Sequence, residues 1–130
     1  MQKLAFPGFW ANSCCSHPLV NNPKECEEKD SLGVRLAAER RAKEELDLEV
    51  SHKEIIPVFK LLYRSYGEGF FGESEFDHVL FGFLAGIKPN MLHQVNKKEI
   101  MDVEWIQHGK LRSWMKSKKD KDEPISPWFG

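Results

Sequence analysis

This chain of 130 residues has no long apolar run, no dominant charge and few cysteines. No apolar run approaches the roughly 20 residues of a membrane-spanning helix, so we expect no membrane partner. A net charge of −1 is atypical of nucleic-acid-binding proteins, whose surfaces are dominated by basic groups. We interpret the basic stretch Lys116 to Lys121 as a solvated helix end or loop.

The cysteine count and the first residues both bear on the compartment. Three cysteines cannot all pair, and the adjacent Cys14 and Cys15 are too close along the chain to bridge each other easily. Pro7 and Gly8 interrupt the N-terminal stretch before a secretory signal can form. The sequence therefore predicts free thiols in a reducing compartment.

The composition, 41% hydrophobic and 30% charged, is that of an ordinary globular protein, and the length fits a single domain over residues 1–130. Apolar periodicity and turn residues predict the following order of elements: a loop to Asn22, a helix capped by Asp30 or Ser31 and ending near Leu46, strands Ile55 to Tyr66 and Phe76 to Ile87, a short strand Met101 to Ile106, and a helix Lys110 to Lys116. Helix and strands alternate without βαβ regularity, which favours an α+β fold or a mixed-sheet sandwich over a parallel doubly wound fold.

Cys15 and His17 form the first candidate for chemistry. A thiolate can attack or carry a proton, and a nearby imidazole can bind a metal or tune the thiol. Their two-residue spacing predicts that both side chains lie on the same side of an extended loop. The alternative is that the cysteine is only a small buried hydrophobe.

Glu73 and Glu75 repeat this two-residue spacing at the entry of an apolar strand. If Phe76 faces a core, two carboxylates beside it require a cation or a proton between them. The alternative is a pair of solvated carboxylates at a strand end.

The end of the first helix and three aromatic residues complete the candidates. Arg41 and Glu45 are spaced for an i,i+4 ion pair, on what is either a binding face or a charged exposed one. Tyr63, Trp10 and Trp128 are either core aromatics or rings beside a site, where a π face can stabilise a cation.

Taken together, these segments resemble type 1 isopentenyl-diphosphate Δ-isomerase, a branch of the Nudix superfamily. The matching blocks are Phe6-Pro7-Gly8, Asn12 to Pro18, Leu32 to Arg35, Ala37-Ala38, Arg40-Arg41, Glu45-Leu46, Gly72-Glu73-x-Glu75 and Ser126 to Phe129. They occur in the family's order. The resemblance implies an α+β fold with a Nudix-like mixed β-sheet sandwiched by helices, incomplete at its N- and C-termini.

The resemblance also implies a reaction and a set of residues. The family interconverts isopentenyl and dimethylallyl diphosphate through an allylic proton shift, with Cys15 and Glu75 as the implied acid/base pair. The implied metal ligands are His17, Glu73 and Glu75 for a tightly held divalent metal (Mn²⁺ or Zn²⁺) and Glu45 for Mg²⁺. The implied substrate contacts are Lys3, Ser16, Arg41, Tyr63 and Trp128.

Three departures leave alternatives open. Relatives place two further His ligands upstream of Met1 and a covering helix after Trp128. The first half of the Nudix signature is replaced here at Cys26 and Leu32, which is usual for the isomerase branch and disfavours a Nudix hydrolase. The first hypothesis is an isopentenyl-diphosphate isomerase, and the second is a truncated non-catalytic homologue that binds metal or diphosphate weakly. A Nudix hydrolase is a distant third. We expect a monomer in the cytoplasm, with the peroxisome as the alternative location, and a small diphosphate as the partner.

Overall fold

A computed structural model of the chain describes residues 7–66, 72–88 and 95–129, with the backbone alone at Gly72 and Glu73. The described helices and strands are α1 (Leu32–Leu46), β1 (Ile55–Tyr66), β2 (Gly72–Gly82) and α2 (Leu111–Asp120), with short 3-10 turns at Pro23–Cys26, Lys29–Ser31, His52–Glu54 and Pro127–Phe129. This confirms the α+β class. None of the described helices combines the length and apolarity that crossing a membrane requires.

The two strands form an antiparallel pair, with Tyr63 opposite Glu75 and Ile55 opposite Gly82. β1 has the predicted bounds. β2 begins before the predicted Phe76 and ends at Gly82 rather than at Ile87, so that prediction is wrong at both ends. The ladder ends at Gly82 because the residues before Ile55 form the 3-10 turn His52–Glu54, and one further backbone bond runs from the Phe83 N–H to the Glu54 carbonyl at 3.3 Å.

The predicted helix to Leu46 is confirmed as α1. Its last turn ends at Asp47, whose left-handed φ of 53° is a conformation that glycine adopts most easily and aspartate tolerates. At the other end Ser31 is the cap residue, but its side chain makes no capping hydrogen bond. The predicted position of the cap is therefore confirmed at Ser31, without a hydrogen bond from its side chain. Instead, the backbone N–H of Gly33 donates to the Glu27 carbonyl at 2.8 Å.

The C-terminal part differs from its prediction in one place. α2 is confirmed and extends to Asp120, but Met101 to Ile106 is not a strand. Met101 and Trp105 are exposed, Val103 and Ile106 are half-buried, and no described strand lies beside this segment to form a ladder with it.

The core lies where α1 meets the start of β1. Ala42, Val50 and Ile55 are buried together, and the half-buried residues packed against them are Cys14, Ala38, Leu48, Leu80 and Leu84. The opening loop, residues 7–22, is therefore packed onto α1 through Cys14. This contact sets the position of the loop residues that follow Cys14.

A buried carboxylate also fixes the opening loop to α1. Glu25 is 4% exposed, and it accepts hydrogen bonds from Arg40 at 2.8 and 3.0 Å and from the backbone N–H of Leu19 at 2.9 Å. The hydrogen bond from Arg40 is the main cause that lowers the pKa of Glu25 to about 2, against the opposing effect of burial.

Gly33 allows the turn that carries Glu25 to lie directly against α1. A Cβ at this position would overlap the Glu25 carbonyl oxygen and would lie 2.9 Å from the Glu27 carbonyl oxygen. We expect Gly33→Ala to lower the free energy of unfolding by about 2–3 kcal/mol, because backbone atoms must move. Urea unfolding followed by circular dichroism measures the change.

The control is Gly82→Ala, whose Cβ would lie 3.7 Å from Val50 Cγ2, an ordinary contact. It should leave stability unchanged or raise it. Equal effects of the two substitutions would contradict the close approach at Gly33.

The lowered pKa of Glu25 predicts a specific acid sensitivity. Its contribution to stability is present in full above the ordinary pKa of 4.5 and is lost as the pH falls towards the folded value of about 2. The free energy of unfolding should therefore fall more steeply over this window in the wild-type protein than in Glu25→Gln. Urea midpoints at a series of pH values test this, and parallel slopes would contradict it.

Candidate functional site

The opening loop presents alternate residues to opposite sides. Cys14 and Ser16 are half-buried, whereas Cys15 and His17 are exposed. This alternation agrees with the prediction that the side chains of Cys15 and His17 share a side.

The two adjacent thiols lie in different environments. Cys14 packs against the core, and burial is the main cause that raises its pKa to about 11, with the negative charge of Glu45 as the next cause. Cys14 therefore stays protonated at neutral pH, and its role is packing. Cys15 is exposed, and it is the thiol that a solute can reach.

The side chain of His17, on the opening loop, contacts β2. Its Nε2 lies 3.9 Å from Oε1 of Glu75, so two of the residues predicted as metal ligands are brought together from distant parts of the sequence. The His17 side chain is 73% exposed and that of Glu75 is 38% exposed. The pair therefore faces solvent on one side.

Two aromatic residues lie on the same part of the hairpin. Tyr63 is opposite Glu75, so the two side chains share a face of the sheet. Trp128 packs edge-on against the Tyr63 ring with 5.5 Å between centroids, and its Nε1 donates to Asn12 Oδ1 at 2.9 Å. The opening loop, the hairpin and the C-terminal turn thus converge on one region.

Buried polar atoms lie in this region. The Tyr63 hydroxyl and the Ser16 Oγ are shielded from solvent, and neither has a hydrogen-bond partner among the residues that the structure describes. Buried hydroxyl groups in proteins nearly always have a partner. Both atoms belong to residues predicted to contact substrate, and a polar ligand would satisfy them.

A second group of charges surrounds Arg41. Its guanidinium forms ion pairs with Glu44 at 2.9 Å, with Glu99 at 2.6 Å and with the buried Glu45. Burial opposes the charged form of Arg41, but the hydrogen bonds to Glu99 and Glu44 outweigh it and raise its pKa. Glu44 also pairs with Arg40 at 3.3 Å, so the carboxylates of this group are shared between the two neighbouring arginines. The predicted i,i+4 pair between Arg41 and Glu45 is confirmed.

The charged residues around Arg41 lie near the opening loop, because the negative charge of Glu45 contributes to the raised pKa of the Cys14 thiol. Glu99 was not among the predicted residues. It lies 58 positions from Arg41 within a charged stretch, Lys97-Lys98-Glu99, whose pattern is typical of a solvated surface.

The predicted metal ligands are only partly assembled. Across residues 7–66, 72–88 and 95–129, no group of three His, Cys, Asp or Glu side chains is arranged to hold a metal ion. His17 and Glu75 offer the nitrogen and oxygen donors that Mn²⁺ or Zn²⁺ accepts, but two donors do not complete a site. The side chain of Glu73 and the whole of Lys3 lie outside the described residues.

Comparison with known proteins identifies relatives along almost the whole chain. The family model described as "NUDIX domain" matches residues 14–129. "Isopentenyl-diphosphate Delta-isomerase 1" of Mesocricetus auratus is 36% identical over 130 residues, which are 98% of this chain and 55% of that protein. "Isopentenyl-diphosphate Delta-isomerase I, chloroplastic" of Arabidopsis thaliana is 35% identical over 132 residues, 98% of this chain and 43% of that protein.

These comparisons confirm the resemblance that the motifs indicate. The chain spans about half the length of the curated relatives it matches.

The difference between the two thiols gives a direct test of the loop. At pH 8, iodoacetamide should label Cys15 and leave Cys14 largely unmodified, because a raised pKa removes the reactive thiolate. Tandem mass spectrometry of the labelled peptide separates the two positions. After denaturation in urea both should react, and faster labelling of Cys14 in the folded protein would contradict this arrangement.

Proposed function

We propose, from the premise that the chain belongs to the NUDIX domain family, that it catalyses the interconversion of isopentenyl and dimethylallyl diphosphate. The observation that carries the proposal is the 3.9 Å contact between His17 and Glu75. It brings the loop of Cys15 against the strand of Glu75, the two segments that must face a common substrate. The names of the relatives supply the reaction.

In the proposed reaction, Cys15 and Glu75 are the acid/base pair. One of them adds a proton to the end of the double bond, and the other removes a proton from the carbon on the far side of the cation. One proton enters and one leaves, so the substrate and the product are isomers and no co-reactant is consumed. The exposure of Cys15 supports its role as the group that reaches substrate.

The aromatic pair would protect the cationic intermediate. A carbocation needs a pocket that excludes water, and the π face of Trp128 can stabilise positive charge. The packing of Trp128 on the buried Tyr63 supports this role.

The diphosphate and the metal ions involve the remaining predicted residues. Lys3, Ser16 and Arg41 would contact the diphosphate. Glu45 would hold Mg²⁺, and His17, Glu73 and Glu75 would hold a second divalent metal, Mn²⁺ or Zn²⁺. Bound Mg²⁺ neutralises diphosphate charge and prefers such oxygen ligands. The buried carboxylate of Glu45, beside the guanidinium of Arg41, offers an oxygen ligand of this kind.

The same proposal covers the setting of the enzyme. We take residues 1–130 as a single Nudix domain that acts as a monomer in the cytoplasm, without a nucleic-acid or membrane partner. Sedimentation and imaging of a fluorescent fusion, with a peroxisomal marker, test these points.

The central test is turnover. With Mg²⁺ and Mn²⁺ or Zn²⁺ present, the purified protein should convert isopentenyl to dimethylallyl diphosphate, and Cys15→Ala should lower kcat by about 100-fold or more, as expected when an acid/base group is lost. Cys14→Ala is the matched control, because that thiol is packed in the core. It should retain turnover in the fraction that folds.

Two other outcomes point to the other functions. Binding of metal or diphosphate without turnover at high protein concentration would favour the non-catalytic homologue. Phosphate release from nucleoside diphosphate derivatives would indicate a Nudix hydrolase. Equal loss of activity in Cys14→Ala and Cys15→Ala would contradict the role given to Cys15.

A further inference from the structure

We propose that the buried ion pair between Glu25 and Arg40 is a positioning device, which holds the loop of Cys15 and His17 in register against β2. Neither residue belongs to the site predicted from the sequence. The inference deepens the proposed function and rests on it, because the placement of this loop affects a rate only if the loop carries the chemistry.

The first step is the geometry of the ion pair. Arg40 donates from Nε to one oxygen of Glu25 at 2.8 Å and from Nη2 to the other at 3.0 Å, a two-point arrangement that fixes orientation as well as distance. Asn22 Nδ2 adds a third side-chain donor at 3.1 Å. With the carboxylate 4% exposed, its position is set by these partners rather than by solvent.

The second step is what the pair holds. Arg40 Nη2 also donates to the backbone carbonyl of His17 at 3.1 Å, and Glu25 accepts from the backbone N–H of Leu19 at 2.9 Å. The loop is thus held at two points on either side of Pro18, whose ring fixes its own φ. Between them these two bonds determine the direction in which the loop runs past α1.

The third step is why His17 needs such a hold. Its side chain is 73% exposed, so packing does not fix the imidazole. The direction of the ring towards Glu75 therefore depends on its backbone. Arg40 belongs to α1, and Glu25 lies on a turn packed directly against Gly33. The backbone of His17 is therefore held in a fixed position relative to α1 by the bonds to Arg40 and Glu25.

The test compares Glu25→Gln, Arg40→Lys and the double variant with the control Glu39→Gln. Glu25→Gln removes the charge at nearly constant shape. Arg40→Lys keeps a cation but loses the planar two-point contact with Glu25 that also directs a donor at His17. Glu39 lies on the same helix, but it holds His52 at 2.8 Å rather than the opening loop.

The first readout is independent of activity. In metal-free protein at fixed pH, the Leu19 amide should exchange with solvent at least about tenfold faster in Glu25→Gln, since a hydrogen bond to a charged group is lost. The NMR signals of the His17 imidazole should shift, while the amides of α1 keep their protection. Glu39→Gln should change neither.

The second readout is kinetic. Misplacement of the loop should lower kcat by about 10- to 100-fold with a smaller change in KM, and the double variant should be no slower than the slower single variant, because both residues act through one contact. A uniform loss of amide protection across the protein would overturn the inference and leave the pair with a role in stability alone, as would unchanged Leu19 and His17 signals.

The two proposals fail in different ways. If the wild-type protein has no isomerase activity, the proposed function fails, and the exchange and NMR measurements still decide whether the pair holds the loop. If Glu25→Gln does not fold, Arg40→Lys still tests the hold on His17 through the imidazole signals, because it removes the guanidinium that donates to the His17 carbonyl. Additive losses of kcat in the double variant would also overturn the inference.

Discussion

Two carboxylates are buried among the residues that the structure describes, and consecutive arginines of α1 compensate both. Glu25 and Glu45 are 4% and 2% exposed, and each ion-pairs with its own arginine, Arg40 or Arg41. A buried carboxylate without a partner is strongly destabilising, so the two pairs must form whenever the helix packs. Because Arg40 and Arg41 are neighbours, they point in different directions around the helix. One pair reaches the opening loop, and the other reaches Glu99.

The C-terminal segment is fixed to the same loop by an unrelated set of contacts. Trp10 pairs its backbone with Pro124 and Ser126, its indole N–H donates to Glu123 at 2.8 Å, and the ammonium of Lys118 lies 4.2 Å from the centre of its ring. These contacts determine where Trp128 lies on the hairpin. The candidate site therefore depends on both ends of the described chain as well as on α1 and the hairpin.

The sequence predicts the local elements well and the long-range ones less well. α1 and β1 follow from helical charge spacing and from a run of β-branched and aromatic residues, which are properties of the segments themselves. The end of β2 depends on where β1 begins, and a single segment does not contain that information. Met101 to Ile106 has the composition of a strand, but pairing requires a neighbour.

The same division applies to the candidate site. The resemblance selected His17, Tyr63, Glu75 and Trp128, and the structure brings these residues into one region. Glu25 and Glu99 were missed, because nothing in a charged turn or a charged surface stretch distinguishes a carboxylate that will be buried against an arginine. Only the packing of distant segments makes that difference.

The adjacent thiols of the opening loop have a consequence for register. A slip of the loop by one residue would still bury one sulfur and expose another, so the two identical side chains give the chain no means of telling the correct alignment from the shifted one. The discrimination must come from unlike neighbours: the shifted loop would turn the hydroxyl of Ser16 outward and the imidazole of His17 inward. The correct alignment of the two cysteines therefore depends on the residues that follow them.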